Sequence, residues 1–218
     1  MRHEGNMKTV YFVRHGQSEA NVSPVFQPPE SPLTEKGKQQ ARFLAERASF
    51  LPIQKVISST MARAEQTADI IAEQIEKKVE LSDLFREREK PSTVSGKPRG
   101  DTEAAEKWNH WLQSLVDESV GKVEDGEAFA ELKARALKAL HYLSEQEDDF
   151  LIVVTHGFFM RMLVSCVLIG EDLNASEFNK LQARLGMELS AITVLRHDPT
   201  LSGMPWRVWI WNDHAHLG

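Results

Sequence analysis

Short apolar runs alternate along this chain with longer segments whose apolar residues recur every three or four positions. Thr9-Val10-Tyr11-Phe12-Val13 is β-branched and aromatic, too short for a helix, and predicts a buried strand that stops at Arg14-His15-Gly16. A proline-rich loop follows (Pro24, Pro28, Pro29, Pro32), after which Thr34 is read as the N-cap of a helix reaching about Ser49, with Ala41, Leu44, Ala45 and Ala48 on one face. Lys55–Ser59 predicts a second strand, and Ala62 to about Glu76 a second helix with Ala64, Thr67, Ile70, Ile71 and Gln74 at helical spacing. This alternation of strand and helix belongs to an α/β sheet.

Residues 84–125 break the rhythm. Pro91, Gly96, Pro98 and Gly100 punctuate a loop, and Ala104–Val116 reads as an amphipathic helix carrying Trp108, Trp111, Leu112 and Leu115. The stretch is expected to be an insert, or cap, folded over the sheet edge within one domain spanning 1–218. Gly126–Leu143 predicts a helix with Phe129, Leu132, Ala136, Leu137, Leu140 and Leu143 in one stripe. The most apolar strand, Phe150–Val154, ends at Thr155-His156-Gly157 and leads into a helix from Phe158 to about Leu168. Strands near Ser190–Leu195 and Trp206–Trp211 close the chain, with Trp206, Trp209 and Trp211 expected to pack on the sheet. The expected architecture is a three-layer α/β/α fold with a mainly parallel central sheet.

The carboxyl ends of two predicted strands carry the same chemistry. Each apolar run delivers a histidine followed at once by a glycine, His15-Gly16 and His156-Gly157. Ligands of α/β sheets bind beyond those strand ends, and glycine there is expected to let backbone approach a ligand or take a positive φ. Arg63 lies at the start of the helix after Ser58-Ser59, where backbone N–H groups already favour an anion. Two imidazoles and the guanidiniums of Arg14 and Arg63 would together make a site for a tetrahedral oxyanion. A metal site is the sharper rival, but Arg14 beside His15 would repel a cation and no HExxH-type spacing occurs, so neither metal nor cofactor is expected.

Composition narrows the classes further. The 218 residues are 41% hydrophobic and 27% charged with a net charge of -6, an ordinary globular balance that argues against nucleic-acid binding driven by bulk positive charge. The single Cys166 cannot build a disulfide framework, and no glycine-rich loop ending in arginine follows it, so it reads as an inert core thiol. No apolar run approaches the ~20 residues of a membrane span, and Met1–Asn6 has no apolar signal core, so a cytoplasmic location away from membranes is expected. Walker, GxGxxG and GxSxG motifs are absent.

The segment Val13-Arg14-His15-Gly16-Gln17-Ser18-Glu19-Ala20-Asn21 resembles the RHG signature of the histidine phosphatase superfamily, which includes the cofactor-dependent phosphoglycerate mutases. The resemblance continues in the same order through Leu33–Gly37, Ser58-Ser59 with Arg63-Ala64 and Thr67-Ala68, Thr155-His156-Gly157 and Trp211–Leu217. It implies that His15 is a nucleophile forming a phosphohistidine, kept neutral by its arginine neighbours. It also implies that Arg14, Arg63 and His156 clamp phosphoryl oxygens and that Asn21 adds a neutral donor, with Gln17 and Thr34 as further lining residues. Phe85-Arg86-Glu87 resembles the family segment carrying the general acid, which places Glu87 in that role with Glu89 as the second candidate.

The implied activity is metal-independent phosphomonoester hydrolysis on a small phosphorylated substrate. A mutase and a non-catalytic phosphate-binding protein are the alternatives; Lys90–Gly100 does not resemble the arginine- and proline-rich mutase insert. Dimers occur in the family, so the resemblance admits a homodimer. Residues 85–100 also hold Arg86, Arg88, Lys90, Lys97 and Arg99 against Glu87 and Glu89, a local +3 expected to steer anions and to bind a second acidic group of the substrate.

Overall fold

The computed structural model describes residues 7–26, 28–203 and 205–217, so the opening segment Met1–Asn6 lies outside the described residues. The elements in chain order are β1 (Lys8–Arg14), α1 (Glu19–Val22), α2 (Glu35–Ala48), β2 (Lys55–Ser58), α3 (Ala62–Gln74), β3 (Val79–Leu81), α4 (Thr102–Ser114), α5 (Phe129–Ser144), β4 (Phe150–Thr155), α6 (Gly157–Ile169), α7 (Ala175–Gln182), β5 (Ile192–His197) and β6 (Trp206–Asp213). They form one six-stranded sheet in the order β3-β2-β4-β1-β5-β6. The pairs β2–β3, β2–β4 and β1–β4 are parallel, while β5 and β6 continue the sheet antiparallel from β1.

The period-two alternation of the strands feeds two cores. Val10, Phe12, Leu151, Val153 and Leu195 face α5 and α6, whereas Val13, Val56, Ile152, Val154 and Ile192 face α2 and α3. Helices therefore cover both faces, the three-layer arrangement expected. Phe85, Trp111, Leu115 and Val123 belong to the first of these cores, so the 84–125 stretch shares the domain's packing.

β3, α1 and α7 were not expected. β3 has three residues, two of them exposed, and α7 buries only Ala175 and Phe178, so neither shows a strong apolar period. The C-terminal tryptophans correct a second expectation. Register shifts between Ile192, Val194 and Leu195 mark a bulge in the β5–β6 pairing. Trp206 is buried, but Trp209 is 57% exposed and stacks under the Arg196 guanidinium at 4.0 Å.

The glycines of the signature serve the protein's own packing, contrary to the ligand-approach expectation. A Cβ on Gly37 would lie 2.0 Å from the Gln17 carbonyl oxygen, and one on Gly16 would lie 2.5 Å from the Gly37 carbonyl oxygen. The first turn of α2 is thus pressed onto the loop after β1, which accounts for two distant sequence blocks at once. Gly157 likewise leaves room for Arg14, whose Nε would be 3.1 Å from an added Cβ.

Candidate active site

β1 and β4 run parallel and in register, Arg14 beside Thr155, so the residues after them emerge together at the carboxyl edge of the sheet. The His15 and His156 ring centroids are 5.0 Å apart, and both residues are buried. His15 Nδ1 lies 2.7 Å from the Gly16 carbonyl oxygen, which only a protonated Nδ1 can use. Nε2 then carries the lone pair, and Arg63 Nε donates to it at 3.1 Å. Burial, then the charges of Arg63 and Arg14, hold His15 well below the usual imidazole pKa. The neutral nucleophile expected from its arginine neighbours is therefore kept neutral first by desolvation.

Arg14 donates to the Met187 carbonyl at 2.6 Å, and its Nε is buried without a hydrogen-bond partner. Arg63 Nη1 and His156 Nδ1 are buried and unpartnered as well. Buried nitrogens lacking partners are costly unless a further group engages them, and Arg14 and Arg63 line the cleft, where a phosphoryl group would do so. His156 Nε2 pairs with Ser59 Oγ at 2.8 Å, so the end of β2 orients this ring. His156 is fully buried and does not line the open cleft; it stands beside His15 as a buried wall.

The cleft itself encloses about 220 Å³ and is lined by Arg14, His15, Arg63 and Glu87, with Asn21 and the aromatic wall of Phe26, Trp108 and Trp111. Asn21 Oδ1 accepts from Ser18 N and Oγ, both at 2.9 Å, which leaves its amide nitrogen as the end able to donate into the cleft. Gln17 and Thr34 correct the expectation that they line the site. Thr34 Oγ1 caps α2 at Gly37 N and donates to Gln17 Oε1, so the pair fastens α2 to the loop after β1. Trp111 is core and wall at once, with its Nε1 donating to the Glu127 carbonyl at 3.0 Å.

Glu87 is held by the start of α6. Its Oε1 accepts from Phe159 N at 3.0 Å and Arg88 N at 3.0 Å, and its Oε2 from Phe158 N at 3.2 Å. His156 is the N-cap of α6 and supplies no side-chain cap, and the incoming carboxylate satisfies those orphan N–H groups. Glu89, the second candidate, is exposed, bridges to Arg86 and stays outside the cleft. Of the five cations in the 85–100 loop, Arg88, Lys90 and Arg99 reach the cleft. Arg86 is engaged by Asp83 and Glu89, and Lys97 lies in a separate shallow depression beside Asp101 and Glu103. No group of three or more His, Cys, Asp or Glu among the described residues is placed to hold a metal ion.

One functional residue escaped the sequence reading. Arg135 on α5 donates to the carbonyls of Leu84 at 3.0 Å, Arg86 at 2.7 Å and Glu87 at 3.4 Å, while bridging Glu127 through two further bonds. Three consecutive-turn carbonyls around Glu87 thus hang on one guanidinium. Its signal was a cation interrupting the apolar stripe between Leu132 and Ala139.

The chain matches the model of the histidine phosphatase superfamily (branch 1) over residues 10–206. It belongs to that superfamily. A relative named probable phosphoglycerate mutase GpmB, from Enterobacter sp. (strain 638), is 36% identical over 213 residues, covering 97% of this chain and 95% of its own. Among solved structures, Bacillus stearothermophilus YhfR superposes with a TM-score of 0.81 at 25% identity, covering 97% of this chain and 100% of that one. A mycobacterial glucosyl-3-phosphoglycerate phosphatase shares the fold with a TM-score of 0.74 at 24% identity, over 96% and 100% of the two chains. Among the described residues of this histidine phosphatase, no helix is long and apolar enough to cross a membrane.

The two buried imidazoles also make this histidine phosphatase acid-sensitive. His15 and His156 are both held well below the usual imidazole pKa of 6.5, chiefly by burial. Below pH 6.5 the unfolded chain gains protons that the folded one refuses, so stability is full above that pH and is lost as the pH falls. Each imidazole contributes a slope of up to about 1.4 kcal/mol per pH unit. Urea unfolding between pH 7 and 5 should show this decline, and His15→Asn should flatten it by one proton; an unchanged slope in that variant would mean that His15 is not buried neutral.

Proposed function

We propose that the protein hydrolyses small phosphomonoesters without a metal, through a phosphohistidine at His15. Nε2 attacks phosphorus, the P–O bond to the substrate alcohol breaks, and Glu87 delivers the proton that the departing oxygen needs. Water then attacks the phosphohistidine, giving its proton back to Glu87 and releasing phosphate. The Nδ1–H bond to the Gly16 carbonyl steadies the ring while it carries positive charge. Arg63 must exchange its bond to Nε2 for phosphoryl oxygens as the substrate enters, and with Arg14 it meets the charge spread over those oxygens in the transition state.

The observation that carries this reading is the Nε2 lone pair, its tautomer fixed from behind, set among Arg14, Arg63 and the Glu87 carboxylate in one cleft. Hydrolysis is favoured over phosphoryl return because the relatives that share the fold include a phosphoserine phosphatase from Entamoeba histolytica as well as the mycobacterial phosphatase. The name of the Enterobacter relative keeps a mutase as the second reading. Release of p-nitrophenol from its phosphate in the presence of EDTA, with 3-phosphoglycerate assayed with and without 2,3-bisphosphoglycerate, tests both. Inorganic phosphate as the product supports hydrolysis. Isomerisation to 2-phosphoglycerate, stimulated by the bisphosphate and outpacing hydrolysis, would replace it with the mutase.

A further inference from the structure

Arg14 and His15 are gripped by a segment that takes no part in the proposed reaction. This is the loop 186–191, between α7 and β5. Arg14 Nη1 donates to the Met187 carbonyl at 2.6 Å and Arg14 N to the Ala191 carbonyl at 3.2 Å, while Ser190 N donates to the carbonyls of Arg14 at 3.0 Å and His15 at 3.4 Å. Burial lowers the Arg14 pKa, and the charges of Glu87 and Glu188 oppose that shift. Ser190 is buried at a φ of 60°, a left-handed conformation that a serine keeps only where its surroundings hold it there.

The C-terminal segment supplies the hold. Its side chains tie alternate residues of the loop: Trp211 Nε1 donates to the Gly186 carbonyl at 3.0 Å, Asn212 Oδ1 accepts from Glu188 N at 2.7 Å, and His216 Nε2 lies 2.9 Å from the Ser190 carbonyl. The His216 tautomer follows from its other neighbour. Arg47 Nη1, 3.2 Å from Nδ1, can only donate, so Nδ1 accepts and Nε2 carries the proton given to Ser190. Burial, then the charge of Arg47, lower the His216 pKa, in keeping with a neutral ring. Arg47 stands on α2 and is itself anchored to Asp213. Asn212 also takes a positive φ, 54°, with its own N–H donated to Thr193 Oγ1 at 3.2 Å. A continuous set of hydrogen bonds thus runs from α2 through the C-terminal turn to the backbone of the nucleophile. Neither Asn212 nor His216 lines the cleft.

We infer that Asn212 and His216 are positioning residues of the phosphoryl site, clamping the loop 186–191 and through it setting the Arg14 guanidinium beside His15. The inference rests on the phosphatase reading for its turnover test only. His216→Leu should lower kcat/KM for p-nitrophenyl phosphate by roughly 10-fold, the worth of one backbone contact. Asn212→Gly, which suits the positive φ and removes the Oδ1 acceptor, should lose a similar factor. His216→Gln, whose amide nitrogen can replace Nε2 at the Ser190 carbonyl, should restore most of the loss. Added to Arg14→Lys, either substitution should cost no more than about two-fold further, because the guanidinium being positioned is already gone. Calorimetric titration of inorganic phosphate into the same proteins reads the same cycle without turnover, and thermal melts keep each assay below the unfolding of its variant. Full activity and full phosphate affinity in both His216→Leu and Asn212→Gly, with only the melting temperature lowered, would reduce the segment to a stabiliser and overturn the inference. Losses that multiply with that of Arg14→Lys would overturn it too, since the segment would then act on another group. A parent that binds phosphate yet hydrolyses no phosphomonoester would instead remove the phosphatase reading and leave the phosphate cycle to decide the positioning role.

Discussion

Replacing His15 by alanine is expected to lower kcat by about 10⁴-fold on every phosphomonoester, because the two-step route through nitrogen then disappears. The variant should still fold, since the ring makes one backbone bond and one bond to Arg63, and the surrounding sheet is packed on both faces. Rapid quenching of the parent during turnover should trap phosphate on the protein in an acid-labile, alkali-stable form, and the alanine variant should trap none. The acid limb of kcat/KM should also lie below the ordinary imidazole value of 6.5, because burial and the arginines hold His15 unprotonated. Trapped label that survives the substitution would transfer the nucleophile elsewhere.

The parts of this fold legible in the sequence are those where burial is nearly complete. β1 and β4 are continuous apolar runs because both of their faces are covered, and α5 shows its stripe because one face is. β3 was not legible: two of its three residues are exposed at the sheet edge, and Val79 alone cannot make a pattern. Trp209 was misplaced because it stands an odd number of residues from Trp206, so period two puts the two rings on opposite faces, and at the edge strand β6 that second face leaves Trp209 exposed beside Arg196. In the site, Arg14, His15, Arg63 and His156 were readable because strand ends and a helix start locate them. Glu87 sits on a loop without periodicity and was assigned through the family resemblance; what fixes it, the N-terminus of α6, is 70 residues further along the chain. Gly16 and Gly157 were assigned to ligand approach or a positive φ, yet a Cβ on Gly16 would meet the Gly37 carbonyl and one on Gly157 the Arg14 side chain.

Glu87→Gln should separate substrates by leaving group. An alkyl phosphate needs a proton on its departing oxygen and should lose roughly 10²- to 10³-fold in kcat, whereas p-nitrophenolate leaves unprotonated and its ester should lose only a few-fold. Equal losses would remove Glu87 from the acid's role. Arg135 extends the same test to a group that never touches the substrate. Arg135→Met releases the carbonyls of Leu84, Arg86 and Glu87 and leaves the Glu127 carboxylate, whose side chain is only 10% exposed, without its cation and with the Glu89 N–H as its remaining donor. The stranded charge should cost about 3–5 kcal/mol of stability. Arg135→Met with Glu127→Gln removes both charges and should recover part of that loss in a denaturant titration. The recovered fold should nonetheless retain the leaving-group split, in milder form than Glu87→Gln, because the carbonyls around Glu87 then lose their hydrogen bonds to α5 and only the packing of Phe85 holds the segment there. If the paired variant loses activity equally on both esters, Arg135 holds up the fold without aiming the acid, and the positioning role passes to the α6 N–H groups alone.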